Sequence, residues 1–337
     1  MKIDAALTTT HLMDVPDAAR RLEGLGYDGI YTFEGPHDPF FPLLLAAEHT
    51  ERLELTTAVA IAFARTPMTL ASVAYDLQLA SKGRCNLGLG TQIKPHIERR
   101  FSMPWSKPVE RMRELVLAIR AIWASWHEGT KLDFRGDFYT HTLMTPFFNP
   151  GPSPHGVPRI FLGGVGPRMT AVAGEVADGF MIHPFSTATF LRETTVPALE
   201  EGLKRSGRTR DDLEIAFPIM TVAADTDEAR AKGVNAMRAR LAFYGSTPAY
   251  KVVLDTHGWG DLQPELNTLS KRGDWGTMAS MITDEMVDEL CVVGTPEEVP
   301  GIVKQRYGDI VTRVSFDLAE PLPPERTKSI IERLSAL

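Results

Sequence analysis

Cysteine is scarce in this 337-residue chain. The two present, Cys85 and Cys291, sit in apolar stretches. Two cannot build a disulfide framework, so free buried thiols in a reducing compartment are the expectation. A basic excess is also missing. The formal charge is −7, which disfavours a general nucleic-acid binder, since that needs a cationic face. No apolar run approaches the roughly 20 residues of a membrane span. The opening MKIDAALTTT reads as a strand without a signal core, so a cytoplasmic chain with no membrane contact is expected. Several motifs are absent. There is no Gly-x-Ser-x-Gly elbow for a serine hydrolase, no His-Glu-x-x-His helix and no Walker lysine. Gly164-x-Gly166 meets Met169 where a dinucleotide fingerprint needs glycine, and Gly88-x-Gly90 meets Ile93. His37, His96 and His183 each follow a strand-like run, but without metal-ligand spacing. No metal is expected.

What is present is an alternation of strand and helix from end to end. Strand patterns fall at Ile3–Leu7, Asp28–Phe33, Leu53–Ala62, Arg84–Gly90, Arg159–Gly163, Gly179–His183, Leu213–Ala224 and Thr312–Leu318. The third is almost continuously apolar, as a strand buried on both faces should be. Helices are expected between them. One starts at Asp14 or Asp17 and stops at Gly26; one opens with Pro67; Pro108–Trp126 has a clear apolar stripe; and Asp227–Tyr244 follows Asp225 or Thr226 as cap. Thr295 and Glu298 form a capping box ahead of a helix to Tyr307, and Pro323–Leu337 closes the chain. Two stretches break the pattern, 131–158 and 245–290. Eight alternations without a composition break predict an α/β fold, a (β/α)8 TIM barrel in one domain over residues 1–337, with insertions after strands four and seven.

Such barrels place chemistry in the loops after each strand. Gly163, Gly164, Val165 and Gly166 lead from strand five into a helix. There, backbone amides and the helix N-terminus can hold an anion, and Arg168 can add a charged contact. The same glycines also suit a plain tight turn. Glu34 ends a buried strand, where a carboxylate needs a partner such as Arg65 or a chemical task. Lys94, Arg99 and Arg100 make the strand-four loop basic, either to draw an anionic group or as a solvated surface.

These loops in this order resemble the luciferase-like monooxygenase superfamily, and within it the coenzyme F420-dependent oxidoreductases. The resemblance covers nearly the whole chain. It is carried by Gly26-Tyr27-Asp28-Gly29-Ile30, by Leu55-Thr56-Thr57-Ala58-Val59 leading to Arg65-Thr66-Pro67, and by Ser81-Lys82-Gly83-Arg84 with Leu87-Gly88-Leu89-Gly90-Thr91. It continues through Phe161-Leu162-Gly163-Gly164-Val165-Gly166, Ala177-Asp178-Gly179-Phe180 and Val293-Gly294-Thr295-Pro296-Glu297-Glu298-Val299.

The resemblance implies a deazaflavin at the barrel mouth, backed by a non-proline cis peptide at Ala58–Val59. Gly90, Thr91 and Gln92 would line its edge, His96 would contact it from the same loop, and Gly163 to Gly166 would take its phosphate. Glu34 matches an acidic position near the ring, and Glu34 and His37 are the candidate proton donors or acceptors. The sugar-phosphate dehydrogenase branch has Asp-His after strand two and Glu after its Gly-Thr-Gly, where this chain has Glu34-Gly35 and Ile93. Oxidation of sugar phosphates is therefore disfavoured. The implied activity is hydride transfer between coenzyme F420 and a small organic substrate, in a homodimer. The alternatives are an FMN-dependent monooxygenase of the same fold and a non-catalytic deazaflavin-binding protein.

Overall fold

The computed structural model describes residues 1–8 and 11–336. All eight expected strands are present: β1 (Lys2–Ala6), β2 (Gly29–Thr32), β3 (Glu54–Thr57, resuming at Ala60–Ile61), β4 (Cys85–Gly90), β5 (Arg159–Gly164), β6 (Gly179–Ile182), β7 (Glu214–Ala223) and β8 (Arg313–Leu318). Each pairs in parallel with the next, and β8 pairs with β1, so the sheet closes into a barrel. Helices α1 (Val15–Leu25), α2 (Phe40–His49), α3 (Pro67–Ala80), α4 (Pro108–His127), α5 (Pro167–Val176) and α6 (Val196–Arg205) follow the first six strands. Leu87, Leu89, Ile160 and Leu162 are fully buried, which is the apolar layer a strand covered by helices requires.

Local chemistry explains the boundaries. Gly26 ends α1 at φ 96°, a left-handed cap that glycine adopts without a steric penalty. Thr66 caps α3 and Thr226 caps the helix after β7 through their side chains. Asp14 sits at the N-cap of α1 but makes no side-chain cap, and Asp17 pairs with Arg20 instead. The Thr295–Glu298 capping box is closed in both directions. The helix proper begins only at Val299 and runs to Tyr307.

The two Asp-Gly pairs do the same job on different strands. Asp28 accepts from the Ile3 amide at 2.7 Å and Asp178 from the Ile160 amide at 2.8 Å. Each aspartate thus ties the start of its strand to its neighbour. Each glycine keeps the barrel interior clear. A Cβ on Gly29 would stand 2.6 Å from Asp4 Oδ1, and one on Gly179 would stand 2.2 Å from the Phe161 ring.

The N-terminal end of the barrel is plugged by charge. Arg313, its side chain 3% exposed, meets Asp4 at 2.5 Å and both Glu54 and Glu214 at 2.8 Å. Lys2 joins the two glutamates. Burial would raise Glu54, but Arg313 and Lys2 hold it down to about 2. Burial pushes Asp4 up to about 6, against the pull of Arg313.

The second stretch that breaks the alternation, 245–290, is largely helical and sits over the opposite end. Helix α7 (Asp227–Gly245) is followed by α8 (Lys251–Thr256), α9 (Leu262–Arg272), α10 (Trp275–Ser280) and α11 (Asp284–Leu290). A short strand, Val292–Gly294, then extends the sheet beside the end of β7. Helix α12 (Val299–Tyr307) returns to β8, its Tyr307 ring packed on Phe217 of β7. The insertion after strand seven therefore starts with α7 itself. The closing helix α13 spans Pro324–Ala336, and Leu337, its expected last residue, lies outside the described residues. The insertion at 131–158 holds a small hairpin, Phe134–Arg135 against Thr140–His141.

Candidate active site at the barrel mouth

Strand alternation decides what faces the mouth. Met181 of β6 points into the barrel, since its methyl would lie 2.5 Å from a Cβ on Gly88 of β4. Two residues on, His183 shares that parity. Arg313 and Ser315 of β8 face inward, as the charge plug and the Ser315–Tyr31 contact show, so Asp317 does too. The same parity puts Gly90 and Gly163 at the mouth.

The cis peptide between Ala58 and Val59 is present. It lies where β3 is interrupted, so the uninterrupted strand expected from Leu53 to Ala62 is in fact two pieces. The Val59 side chain leans across two neighbouring strands. A Cβ on Gly90 would be 2.5 Å from Val59 Cγ2, and one on Gly163 would be 3.2 Å from Cγ1. Ala58 and Val59 are only partly buried. The bulge forms a small apolar platform, and glycine at both positions lets it sit low.

Glu34 is drawn to this platform from the other side. Its amide donates to Val59 O at 3.3 Å, and its Oε2 accepts from the Ile61 amide at 2.7 Å and from Arg65 at 2.6 Å. Arg65 also meets Asp38 at 3.0 Å. Of the two readings left open by the sequence, the structure displays the pairing with Arg65, with the Glu34 side chain only 7% exposed. His37 is exposed in the same loop.

The strand-four loop folds back on itself. Gln92 adopts φ 60° and its Oε1 accepts from the Ile93 amide, while Thr91 Oγ1 donates to Gln92 O. His96 is exposed at the first position of a π turn, His96–Arg100. Arg100 donates to Gly35 O at 2.7 Å, which ties this loop to the one bearing Glu34 and His37. Lys94 stands 3.8 Å from Glu98.

Gly163 to Gly166 lead into α5. Gly166 is its N-cap with no capping side chain, and Pro167 supplies no amide. The remaining first-turn amides have no intrahelical acceptor, which is the arrangement that receives an anion. A Cβ on Gly166 would meet nothing within 4 Å, so the approach is open. Val165 is half-buried beside it. Arg168 is placed differently from the expectation of a contact at this turn. Its guanidinium is bound by Glu110 of α4 at 2.6 Å and is largely exposed. Among the described residues no group of side chains is arranged to hold a metal ion.

One cluster was missed from sequence. His183 Nδ1 accepts from the Phe185 amide at 3.1 Å. Tyr250 lies across its ring at 4.2 Å and Tyr244 meets it edge-on at 5.0 Å. Burial lowers the His183 pKa to about 4 and pushes Tyr250 up to about 12. Arg240, one turn before Tyr244, pairs with Asp317. His183 was visible as a post-strand histidine, and Asp317 closes a strand. The tyrosines lie at the end of α7 and just beyond it, where no local pattern reveals which helix end will meet the mouth.

Platform, open glycine turn and flanking loops fit a flat cofactor with an anionic tail. The family profile described as luciferase-like monooxygenase matches residues 1–313. An uncharacterized protein of Mycobacterium tuberculosis is 53% identical, covering 93% of this chain and 92% of its own length. A 5,10-methylenetetrahydromethanopterin reductase of Archaeoglobus fulgidus is 31% identical, covering 91% and 89%. Among solved structures, the coenzyme F420-dependent tetrahydromethanopterin reductase of Methanopyrus kandleri superposes with a TM-score of 0.82 at 20% identity, over 99% of this chain and 98% of its own, and shows the same fold. The barrel and the family match agree: the chain belongs to the luciferase-like monooxygenase family and is an enzyme.

Proposed function

We propose that the protein is a coenzyme F420-dependent oxidoreductase that moves a hydride between the deazaflavin and a small organic substrate. The observation that carries this is the Val59 platform, seated on Gly90 and Gly163 and sharing one mouth with the open Gly166 turn. A relative of Mycobacterium tuberculosis named as a putative coenzyme F420-dependent oxidoreductase, 29% identical over 82% of each chain, supports a deazaflavin over FMN.

The cofactor, when bound, supplies or accepts the hydride. The chain's residues position it. Ala58 and Val59 back the ring. Gly90, Thr91 and Gln92 line its edge, with His96 in the same loop. The amides from Gly163 to Gly166 and the N-terminus of α5 hold the anionic tail. Glu34 acts through Arg65 and the Ile61 amide to fix the platform. His37, exposed in the loop that Arg65 anchors through Asp38, is the group placed to exchange a proton with the substrate.

The test uses reduced F420 carrying deuterium at C5, offered with imines and conjugated ketones under nitrogen and in air. The expected result is product bearing the label, formed equally without oxygen. With reduced FMN offered in place of F420, product that forms only in air and contains oxygen from the gas would establish the monooxygenase reading. Binding without loss of label across the panel would establish the storage protein.

A further inference from the structure

Three rings from three different elements cluster beside the mouth, and each carries a polar atom with no hydrogen-bond partner among the described residues. These atoms are His183 Nε2 after β6, Tyr244 Oη at the end of α7, and Tyr250 Oη in the turn Pro248–Tyr250. Three of the other five tyrosines use their hydroxyls, while Tyr307 Oη is buried without a partner among the described residues. Tyr75 donates to Gly151 O at 2.7 Å, Tyr139 accepts from Arg111 at 2.8 Å, and Tyr31 accepts from Ser315 at 3.3 Å. Half-buried tyrosines with idle hydroxyls, stacked about a histidine, are not ordinary core packing.

The chemistry of the cluster is narrow. His183 Nδ1 is committed as an acceptor from the Phe185 amide, so the neutral ring carries its proton on Nε2. The free edge is therefore a donor. Both hydroxyls can donate as well. The nearby charges cancel, since Arg240 is paired with Asp317. Phe185 is buried about 6.3 Å from the Tyr250 ring and completes an aromatic wall. A wall of rings with donors and no net charge suits an uncharged, flat molecule that offers carbonyl oxygens.

We propose that His183, Tyr244 and Tyr250 form the substrate seat, which takes a neutral, planar, conjugated carbonyl compound and holds its oxygen through His183 Nε2–H. The proposal rests on the oxidoreductase reading for the word substrate, but the seat itself is a property of these side chains. Its position fits that role. His183 shares the inward parity of Met181, so the seat opens on the same mouth as the Val59 platform. The insertion is also held there. Thr187, which caps the first turn after β6, bonds His257 Nε2 at 2.8 Å, so the Tyr250 turn and α8 are anchored on the strand-six loop. The seat is built from the barrel and from its insertion together, and neither alone contains it.

The experiment is calorimetric titration of the full chain with 2,3-dimethyl-1,4-naphthoquinone, whose ring carbons are blocked against thiols. The carbonyl-free 2,3-dimethylnaphthalene is titrated alongside, and F420 on the same preparations. The expected result is saturable quinone binding, roughly tenfold weaker in His183→Phe, which keeps a flat ring and loses the donor. His183→Gln, with an amide N–H near the position of Nε2, should recover most of that loss. Tyr250→Phe should weaken the quinone and leave the hydrocarbon unchanged. Should His183→Phe fail to fold, Tyr250→Phe and the shift of the His183 imidazole nitrogen resonances on adding quinone decide the matter. Absence of quinone binding, or equal binding by all variants, overturns the seat; F420 binding in the same samples would then leave the cofactor reading intact. Quinone binding that depends on His183 in a protein that ignores F420 upholds the seat and removes the cofactor reading.

Discussion

Gly166 offers a clean separation of binding from folding at the level of one residue. Its Cβ position is empty and its φ is −76°, so a side chain fits without strain. Gly166→Asp places a carboxylate at a helix N-cap, where it favours the helix, and in the path of an anionic tail, where it repels. The melting temperature should hold or rise while F420 affinity falls roughly tenfold. Equal loss of both would mean that the turn is merely structural. His183 gives a pH prediction. Its folded pKa is lowered to about 4 from the ordinary 6.5 by burial, so the unfolded chain binds the extra proton first. The stability that His183 contributes above 6.5 is lost as pH falls toward 4. Thermal melts across that window should slope less steeply in His183→Gln than in wild type. Asp4, raised to about 6, acts with the opposite sign but is common to both proteins. Parallel slopes would contradict the burial of His183.

Among the elements, β3 and its flanking loops are joined by one guanidinium. Arg65 meets Glu34 and Asp38, so Arg65→Met leaves the nearly buried Glu34 carboxylate without a cation, held only by the Ile61 amide, and should cost about 3 kcal/mol. Adding Glu34→Gln should restore much of this in a double-mutant cycle read by denaturant unfolding; simple additivity would mean the pair holds nothing. Glu34 also shows what was legible at this scale. An acidic residue ending an apolar strand is visible in sequence, and so is Arg65 as its partner. Which oxygen bonds which amide across the β3 interruption is set by tertiary contact. Helix α7 shows the limit from the other side. Its pattern and its Thr226 cap predict a helix over nearly the observed residues, but the same pattern would serve a helix on the outer ring. Arg240 on Asp317 and Gly233 against Val222 and Ala319 place it over the strand ends, and those partners are far away in sequence. The Tyr244–His183–Tyr250 cluster was hidden for that reason.

The molecule as a whole divides its labour between two ends. Backbone periodicity made the eight-strand alternation readable. The polar plug at the opposite end was not foreseen, because Lys2, Asp4, Glu54, Glu214 and Arg313 meet only when the barrel closes. Arg313→Met leaves Asp4 without a cation and Glu54 and Glu214 with Lys2, and should lower stability by about 3 kcal/mol while F420 affinity of the folded fraction stays unchanged. A parallel loss of affinity would mean that the two ends are coupled. The central claim concerns the mouth, and the most direct test is equilibrium titration of the purified apoprotein with F420 and, separately, with FMN, followed by fluorescence. The account predicts saturable binding of F420, weak or no binding of FMN, and roughly tenfold weaker F420 binding in Gly166→Asp. Tight binding of FMN with indifference to F420 would contradict it.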